Sequence, residues 1–282
     1  MKKVDAYVQG PKTHFGYEEV SVEQKEGKVK KVFESVADSY DVMNDLMSAG
    51  LHRYWKDELV RISGVGALAK AARSSGKQFD ILDLAGGTGD VSFRFIDAAE
   101  CVERSKSSGK DSVSVTVCDI NPAMLQVGEK RARERYGNAL IDKNKSLSFV
   151  EGNAQDLPFD ESQFDLFTIA FGLRNVTDVD AALCEARRVL KPGGRFMCLE
   201  FSKVENDTLR AIYDTYSFNA IPKIGQVVAG DSDSYQYLVE SIRKFSTQEE
   251  LKDRIEAAGF AFPSYANYTG GIVSIHEGYK PI

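Results

Sequence analysis

Between Phe79 and Phe201, short apolar runs alternate with stretches of helical pattern, and this alternation leaves the chain very few folds. The runs Phe79 to Ala85, Val113 to Asp119, Leu147 to Glu151, Phe164 to Phe171 and Arg195 to Phe201 are short and rich in apolar residues. Strands buried on both faces of a parallel sheet read this way. Helical stretches at about 88–99, from Pro122 onward and at 178–190 fall between them. Such connections are right-handed crossovers, so the predicted fold class is α/β, with a doubly wound, mostly parallel sheet covered by helices on both faces. Two later runs, Ala261 to Tyr268 and Ile272 to Tyr279, joined through Gly270 and Gly271, predict an antiparallel C-terminal hairpin.

The segment through about residue 77 reads as helical, with Val29, Val32, Phe33, Val36 and Ala37 marking one helix and Trp55, Leu59 and Val60 a second. Residues 207–245 read as irregular helices rich in Tyr and Phe, and a helix over 247–258 ends at Gly259. Glu103 to Lys110 and Asp142 to Lys145 have the composition of surface loops. With 282 residues, 43% of them hydrophobic, the chain can bury one enlarged core. A net charge of -6 argues against nucleic acid as a partner, because phosphate neutralisation needs a surplus of Lys and Arg. Cys101, Cys118, Cys184 and Cys198 are scattered without metal-ligand spacing, so no metal is expected. No apolar run approaches the ~20 residues that span a bilayer.

Asp83-Leu84-Ala85-Gly86-Gly87-Thr88-Gly89-Asp90 closes a strand and opens a helix, which lets its backbone approach a ligand at the carboxyl edge of the sheet. A tight turn needs glycine whether or not it binds anything, so the motif alone indicates only a cofactor crevice. The turn departs from the G-x-G-x-x-G of dinucleotide sites, and the carboxylates Asp83 and Asp90 suit a cation better than a pyrophosphate. S-adenosylmethionine, a sulfonium, is the expected cofactor. Asp119 ends the next strand, where its carboxylate can accept both ribose hydroxyls, while Asn121 before Pro122 reads as a helix cap. Gly152 to Phe159 follows the third strand, placed to read an adenine edge or to be merely a turn.

Further segments carry a specific resemblance: Thr13-His14-Phe15-Gly16, Val32-Phe33-Glu34-Ser35-Val36-Ala37, Tyr40-Asp41-Val42-Met43-Asn44-Asp45, and His52-Arg53 with Trp55-Lys56. It continues through Phe171-Gly172-Leu173-Arg174-Asn175-Val176-Thr177, Arg188 to Arg195, Leu199-Glu200-Phe201-Ser202 and Asp233 to Leu238. Over nearly its whole length the chain resembles the ubiquinone-pathway C-methyltransferases, the UbiE/Coq5 family of 2-methoxy-6-polyprenyl-1,4-benzoquinol methylases. Ala170 stands where bacterial members usually have Ser, which removes an assumed hydroxyl contact to the cofactor. That alanine and the segment Asp233 to Ile242 look more like the eukaryotic branch.

The resemblance implies a class I S-adenosylmethionine-dependent methyltransferase. Its helical N-terminal region, residues 1–77, would contribute to the substrate site, and its methyltransferase domain, 78–282, would include a lid over about 207–245. Gly86, Thr88, Asp119, Asn153 and Ala154 are the expected cofactor residues. A polyprenyl benzoquinol is the expected substrate. The matrix face of the mitochondrial inner membrane, peripheral attachment there and a coenzyme Q biosynthetic complex come with the likeness, which also admits a homodimer.

A ring carbon beside a phenolic hydroxyl becomes nucleophilic when that hydroxyl loses its proton, yet only about one phenol in a thousand is ionised at neutral pH. Arg174 is the candidate cation to stabilise the phenolate or orient a water, with Asn175 fixing the oxygen; a guanidinium stays protonated and cannot itself take the proton. Tyr40 and His52 are secondary candidates, and the aromatic stretch from Tyr213 to Tyr237 is read either as a quinol cover or as ordinary core. A non-catalytic scaffold of the same fold and a nicotinamide oxidoreductase are the competing readings.

Overall fold

The computed structural model of the protein describes residues 12–36, 44–45, 48–103, 112–138, 140–141, 146–219, 221–223, 226 and 232–282. Strands β1 (Lys12–Phe15) and β2 (Glu18–Ser21) form a small hairpin, followed by helices α1 (Val22–Val36), α2 (His52–Ser63) and α3 (Val65–Ser74). Then come β3 (Phe79–Leu84), α4 (Asp90–Glu103), β4 (Val113–Asp119), α5 (Pro122–Tyr136), β5 (Leu147–Glu151), β6 (Phe164–Ala170), α6 (Val179–Val189) and β7 (Leu190–Phe201). Helices α7 (Asp207–Asn219), α8 (Ser232–Lys244) and α9 (Gln248–Ala257) precede β8 (Ala261–Tyr268) and β9 (Val273–Tyr279).

Seven strands pair in the order β5-β4-β3-β6-β7-β9-β8. The first five are parallel, and β9 and β8 join antiparallel, as the apolar runs and the late hairpin predict. From β3 the chain winds outward to β4 and β5, then returns to place β6 on the other side of β3. The order reverses between β3 and β6, and a crevice opens at the carboxyl ends of strands at such a reversal.

Side chains alternate faces along each strand. Ile81, Val115, Leu166 and Met197 join a cluster that includes Val29 of α1, Trp55 and Leu59 of α2 and Phe95 of α4. Leu82, Phe167 and Phe196 face the other way, onto Leu183 of α6 and Ile255 of α9. This two-residue period, repeated on neighbouring strands, is what a sheet covered on both faces requires.

Two expectations are corrected. The stretch before residue 77 is not wholly helical, since Lys12 to Ser21 pair as a hairpin in the register Thr13↔Val20 and Phe15↔Glu18. Its four-residue strands are too short to show a period, and a turn at Gly16 and Tyr17 joins them. Strand β7 also starts at Leu190 rather than Arg195, because Leu190 already pairs with Phe164 ahead of an irregularity in the ladder. The expected loops Glu103 to Lys110 and Asp142 to Lys145 fall, apart from Glu103, outside the described residues.

Trp55 is fully buried, near Phe171 and Phe201 at ring-centroid distances of 6.3 and 6.1 Å, and its indole N–H donates to Thr269 Oγ1 at 2.9 Å. Replacing it with alanine removes a large side chain from a packed interior, so Trp55→Ala should lower the unfolding free energy by about 3–5 kcal/mol. Urea denaturation followed by circular dichroism measures this, and a loss below about 1 kcal/mol would refute the packing role.

Candidate functional site

The carboxyl ends of β3 and β6 both turn sharply. Ala85 and Phe171, the residues that follow these strands, have φ of 52° and 58°, a left-handed conformation that costs a non-glycine residue of order 1–3 kcal/mol. The two turns lie in contact: a Cβ added to Gly172 would sit 2.4 Å from the Cβ of Ala85. Gly86 is confined in the same way, because a Cβ there would meet Val117 Cγ1 at 2.7 Å. The turn is fastened to β4, with the Gly86 N–H donating to the Cys118 carbonyl at 3.2 Å and the Gly87 N–H to Asp119 Oδ2 at 2.9 Å. Asp119 Oδ1 accepts from the Asn121 N–H at 2.9 Å. Asn121 in turn caps α5, accepting from the N–H of Ala123 at 3.0 Å and of Met124 at 3.4 Å.

These turns border a cleft with about 840 Å3 of space, part of it open to solvent. Its walls include Leu84, Ala85, Gly87, Asp119 to Asn121, Met124, Gly152 to Gln155, Phe171, Gly172 and Asn175 to Thr177. The remaining wall comes from α1, through Glu26, Val29, Lys30 and Phe33. Of the expected cofactor residues, Asp119, Asn153 and Ala154 line the cleft, while Gly86 and the buried Thr88 sit behind its lining. Asn153 also shapes its own turn, its Oδ1 accepting from the Gln155 N–H at 3.0 Å.

Burial pushes the Asp119 carboxyl up to about 6, against the lowering effect of the Asn121 and Gly87 N–H groups. The part assigned to Asp83 and Asp90 is corrected by their partners. Asp83 is buried beneath the turn, where it accepts from Ser92 Oγ at 2.6 Å and Thr168 Oγ1 at 2.9 Å, and burial pushes it up to about 6. Asp90 accepts from Lys56 Nζ at 2.8 Å and Arg94 Nε at 3.3 Å; despite burial, these cations hold its carboxyl below the usual range. Neither lines the cleft, whose carboxylates are Glu26 and Asp119.

Arg174 and Asn175 lie in the same 3-10 turn, Leu173–Asn175, and face different spaces. Asn175 lines the cofactor cleft, whereas Arg174 lines a second cavity of about 1210 Å3. Arg174 Nη1 donates to Glu200 Oε1 at 2.8 Å and also to the Phe171 carbonyl, and its backbone N–H donates to Glu200 Oε2 at 3.3 Å. Both side chains of this ion pair are buried. Burial raises the Glu200 carboxyl, with Arg174 opposing that rise. Among the described residues, the buried Arg174 Nε has no hydrogen-bond partner. Asn175 Oδ1 accepts from the Tyr237 hydroxyl at 2.9 Å, and the Tyr237 ring stacks on Phe15 of the hairpin at 4.0 Å.

Other candidates fall elsewhere. His52 bonds Asp45 Oδ1 at 2.9 Å and borders a separate depression with Arg94 and Arg131. Tyr40 lies outside the described residues. Tyr213 and Tyr235 are buried in the main core, and Tyr237 lines the second cavity. Glu200 and Lys25 have no role in the sequence reading, and Tyr237 enters it only as the end of the aromatic stretch. A carboxylate inside the apolar run Phe196 to Phe201 was the available signal for Glu200.

The profile described as the ubiE/COQ5 methyltransferase family matches residues 21–280. The chain is 50% identical to the human protein named 2-methoxy-6-polyprenyl-1,4-benzoquinol methylase, mitochondrial, over 95% of this chain and 84% of that one. The bovine protein of the same name is also 50% identical, over 95% of this chain and 83% of that one. The Brucella abortus (strain S19) protein named ubiquinone/menaquinone biosynthesis C-methyltransferase UbiE is 51% identical, over 96% and 92% of the two chains. Among solved structures, a SAM-dependent methyltransferase from Thermotoga maritima aligns with a TM-score of 0.52 at 18% identity, over 89% of this chain and 99% of that one. That likeness concerns the fold.

Two outcomes follow from the geometry. Gly172→Ala drives a methyl group into Ala85, and an overpacking cost of about 1–3 kcal/mol should weaken S-adenosylhomocysteine binding by roughly fivefold to a hundredfold. Calorimetric titration reads this, and unchanged affinity would remove the turn contact from the site. As a carboxylate, the expected ribose acceptor Asp119 has both oxygens as acceptors, and protonation turns one of them into a donor, so affinity should be level above pH 6 and fall as pH drops through the value near 6, by up to about tenfold per unit. Asp119→Asn should abolish that slope.

Proposed function

The chain belongs to the ubiE/COQ5 methyltransferase family, and from that membership we propose that it methylates a ring carbon of a polyprenylated methoxy-benzoquinol in ubiquinone biosynthesis. The observation that carries the reading is the placement of Asp119 and Asn175 on one cleft, with Arg174 in the same turn as Asn175. S-adenosylmethionine supplies an electrophilic methyl group.

The residues of this chain do the rest. Asp119 receives the ribose hydroxyls, and Asn153 and Ala154 border the adenine. Arg174, its guanidinium fixed by Glu200 and the Phe171 carbonyl, stabilises the phenolate form of the substrate hydroxyl. Asn175, oriented by Tyr237, holds the oxygen beside the reacting carbon. A buried guanidinium that already has a carboxylate partner needs no rearrangement to meet new negative charge, which is the advantage of preorganised electrostatics.

Residues 1–77 form the substrate-side region in this reading, through the α1 face on the cleft, and 78–282 form the methyltransferase domain. The named mammalian relatives are mitochondrial, and we place this enzyme at the matrix face of the inner membrane, where its prenylated substrate resides. Among the described residues no helix is long and apolar enough to cross a membrane, so attachment is assigned as peripheral. Association with other coenzyme Q biosynthetic proteins, and pairing of two copies, belong to the same proposal.

The test is methyl transfer to short-chain benzoquinol and naphthoquinol acceptors, with benzoquinol turnover expected. Absence of transfer despite normal cofactor binding would favour the scaffold reading. Arg174→Ala should lower turnover by about a hundredfold to a thousandfold while cofactor affinity stays near native. It also strands Glu200 in the interior at a cost of about 3–5 kcal/mol, so turnover must be normalised to the fraction that binds cofactor. Unchanged turnover would sink the role of Arg174.

A further inference from the structure

Helix α1 carries a buried lysine for which the assignments above have no use. Lys25 is 7% exposed, and its Nζ donates to the Val176 carbonyl at 2.9 Å. An ammonium has three protons to donate, and burying it with a single carbonyl partner is costly. Burial brings the amine down to about 8, and no neighbouring carboxylate offsets that shift.

The amine lines the second cavity together with Arg174 and Tyr237. Gln155, Val176 and Thr177 belong to the walls of both this cavity and the cofactor cleft. Lys25 is therefore bonded to the segment at which the two spaces adjoin.

We infer that Lys25 is the proton acceptor of the methyl transfer, taking the substrate hydroxyl proton where the second cavity meets the cofactor cleft and Arg174 stabilises the resulting oxyanion. The inference rests on the quinol methylation proposed above. The hydroxyl proton passes to the neutral amine of Lys25, giving an ammonium and a phenolate. The ring carbon then bonds to the methyl carbon as the carbon–sulfur bond of the sulfonium breaks, its electron pair staying on sulfur. The hydrogen on the methylated carbon moves to the ring oxygen and restores the quinol, and Lys25 returns its proton to water. One proton is released for each methyl transferred.

The other groups facing this cavity are less suited to the task. From β1 come Lys12 and His14, both exposed, with Lys12 paired to Glu19. Asp178 caps α6, its Oδ1 accepting from the N–H groups of Asp180 and Ala181 at 3.0 Å. From α8 come the exposed Lys244 and Tyr237, whose hydroxyl is bonded to Asn175 and whose ionisation burial raises. Arg254 of α9 is paired with Asp180, and Arg174 is a guanidinium that stays protonated. Lys25 alone among these is a buried amine with an accessible neutral form.

The experiment compares wild type, Lys25→Met and Lys25→Arg with S-adenosylmethionine and a short-chain methoxy-benzoquinol. It reads kcat from about pH 6 to about pH 10, with S-adenosylhomocysteine affinity and thermal melting as controls. Wild-type kcat should rise about tenfold per unit and level off near 8. Both variants should fall by about a hundredfold or more and lose the rising limb, with cofactor affinity retained. Lys25→Arg keeps the cation but cannot take a proton, so it should be as slow as Lys25→Met. Near-native kcat in Lys25→Arg, or a limb that persists in either variant, overturns the proposal. If the variants fail to fold, a wild-type kcat that is flat through this range overturns it as well. A wild type that binds cofactor and methylates no benzoquinol removes the functional reading and this inference together.

Discussion

The cleft depends on one close approach: the turns after β3 and β6 touch at Ala85 and Gly172 in the middle of the sheet. Parallel pairing brings the two strand ends side by side, and the reversal of strand order leaves a gap beyond them that crossover helices do not fill. Both turns take left-handed backbone at a non-glycine residue, a strain maintained by the hydrogen bonds and packing around it. One turn presents its amide to Asp119, and the other presents Asn175 to the same cleft. Moving either by the width of a methyl group separates Asp119 from the turn that bears Arg174 and Asn175.

Much of this was legible in the chain itself. Central parallel strands must be apolar on both faces, so Val113 to Asp119 and Leu147 to Glu151 are found in the structure at the boundaries read from sequence. Asn121 before Pro122 announced the cap of α5, a local interaction whose partners lie within three residues. The hairpin Lys12 to Ser21 was missed because four-residue strands generate no measurable period. The charges of Asp83 and Asp90 were misread for a different reason: their partners, Thr168 and Lys56, are distant in sequence and become neighbours through tertiary packing. The same limit hid the pairing of Arg174 with Glu200 and of Asn175 with Tyr237. Residue types at strand ends disclosed the crevice, and the need to stabilise a phenolate beside it pointed to Arg174 and Asn175, but no pattern in the sequence indicated that these neighbours face two different spaces.

That division has an electrostatic logic. The cleft is lined by the carboxylates Asp119 and Glu26 with Lys30, while the second cavity gathers Lys12, Lys25, Arg174, Lys244 and Arg254 with Asp178. In the proposed reaction the first balance suits a cationic ligand and the second a developing oxyanion. Glu200 anchors Arg174 from the sheet side, and burying two charges together is costly enough that the pair is better understood as a device for position than as a source of stability.

The wall contributed by α1 bears on how the molecule is put together. Glu26, Val29, Lys30 and Phe33 come from a helix that precedes the main sheet in the chain, and the hairpin before it is docked through Phe15 on Tyr237 and through the Tyr17 N–H on Glu240. The glycine turn and Asp119 are therefore half of a binding site, and the other half is a strap of chain drawn across from outside the sheet. A sheet grafted from this protein into another scaffold would carry every recognisable cofactor residue and still present an open trough. The wall that α1 lends to the cleft is held by contacts made elsewhere, since the hairpin ahead of it is tied to α8 through Phe15 and Tyr17.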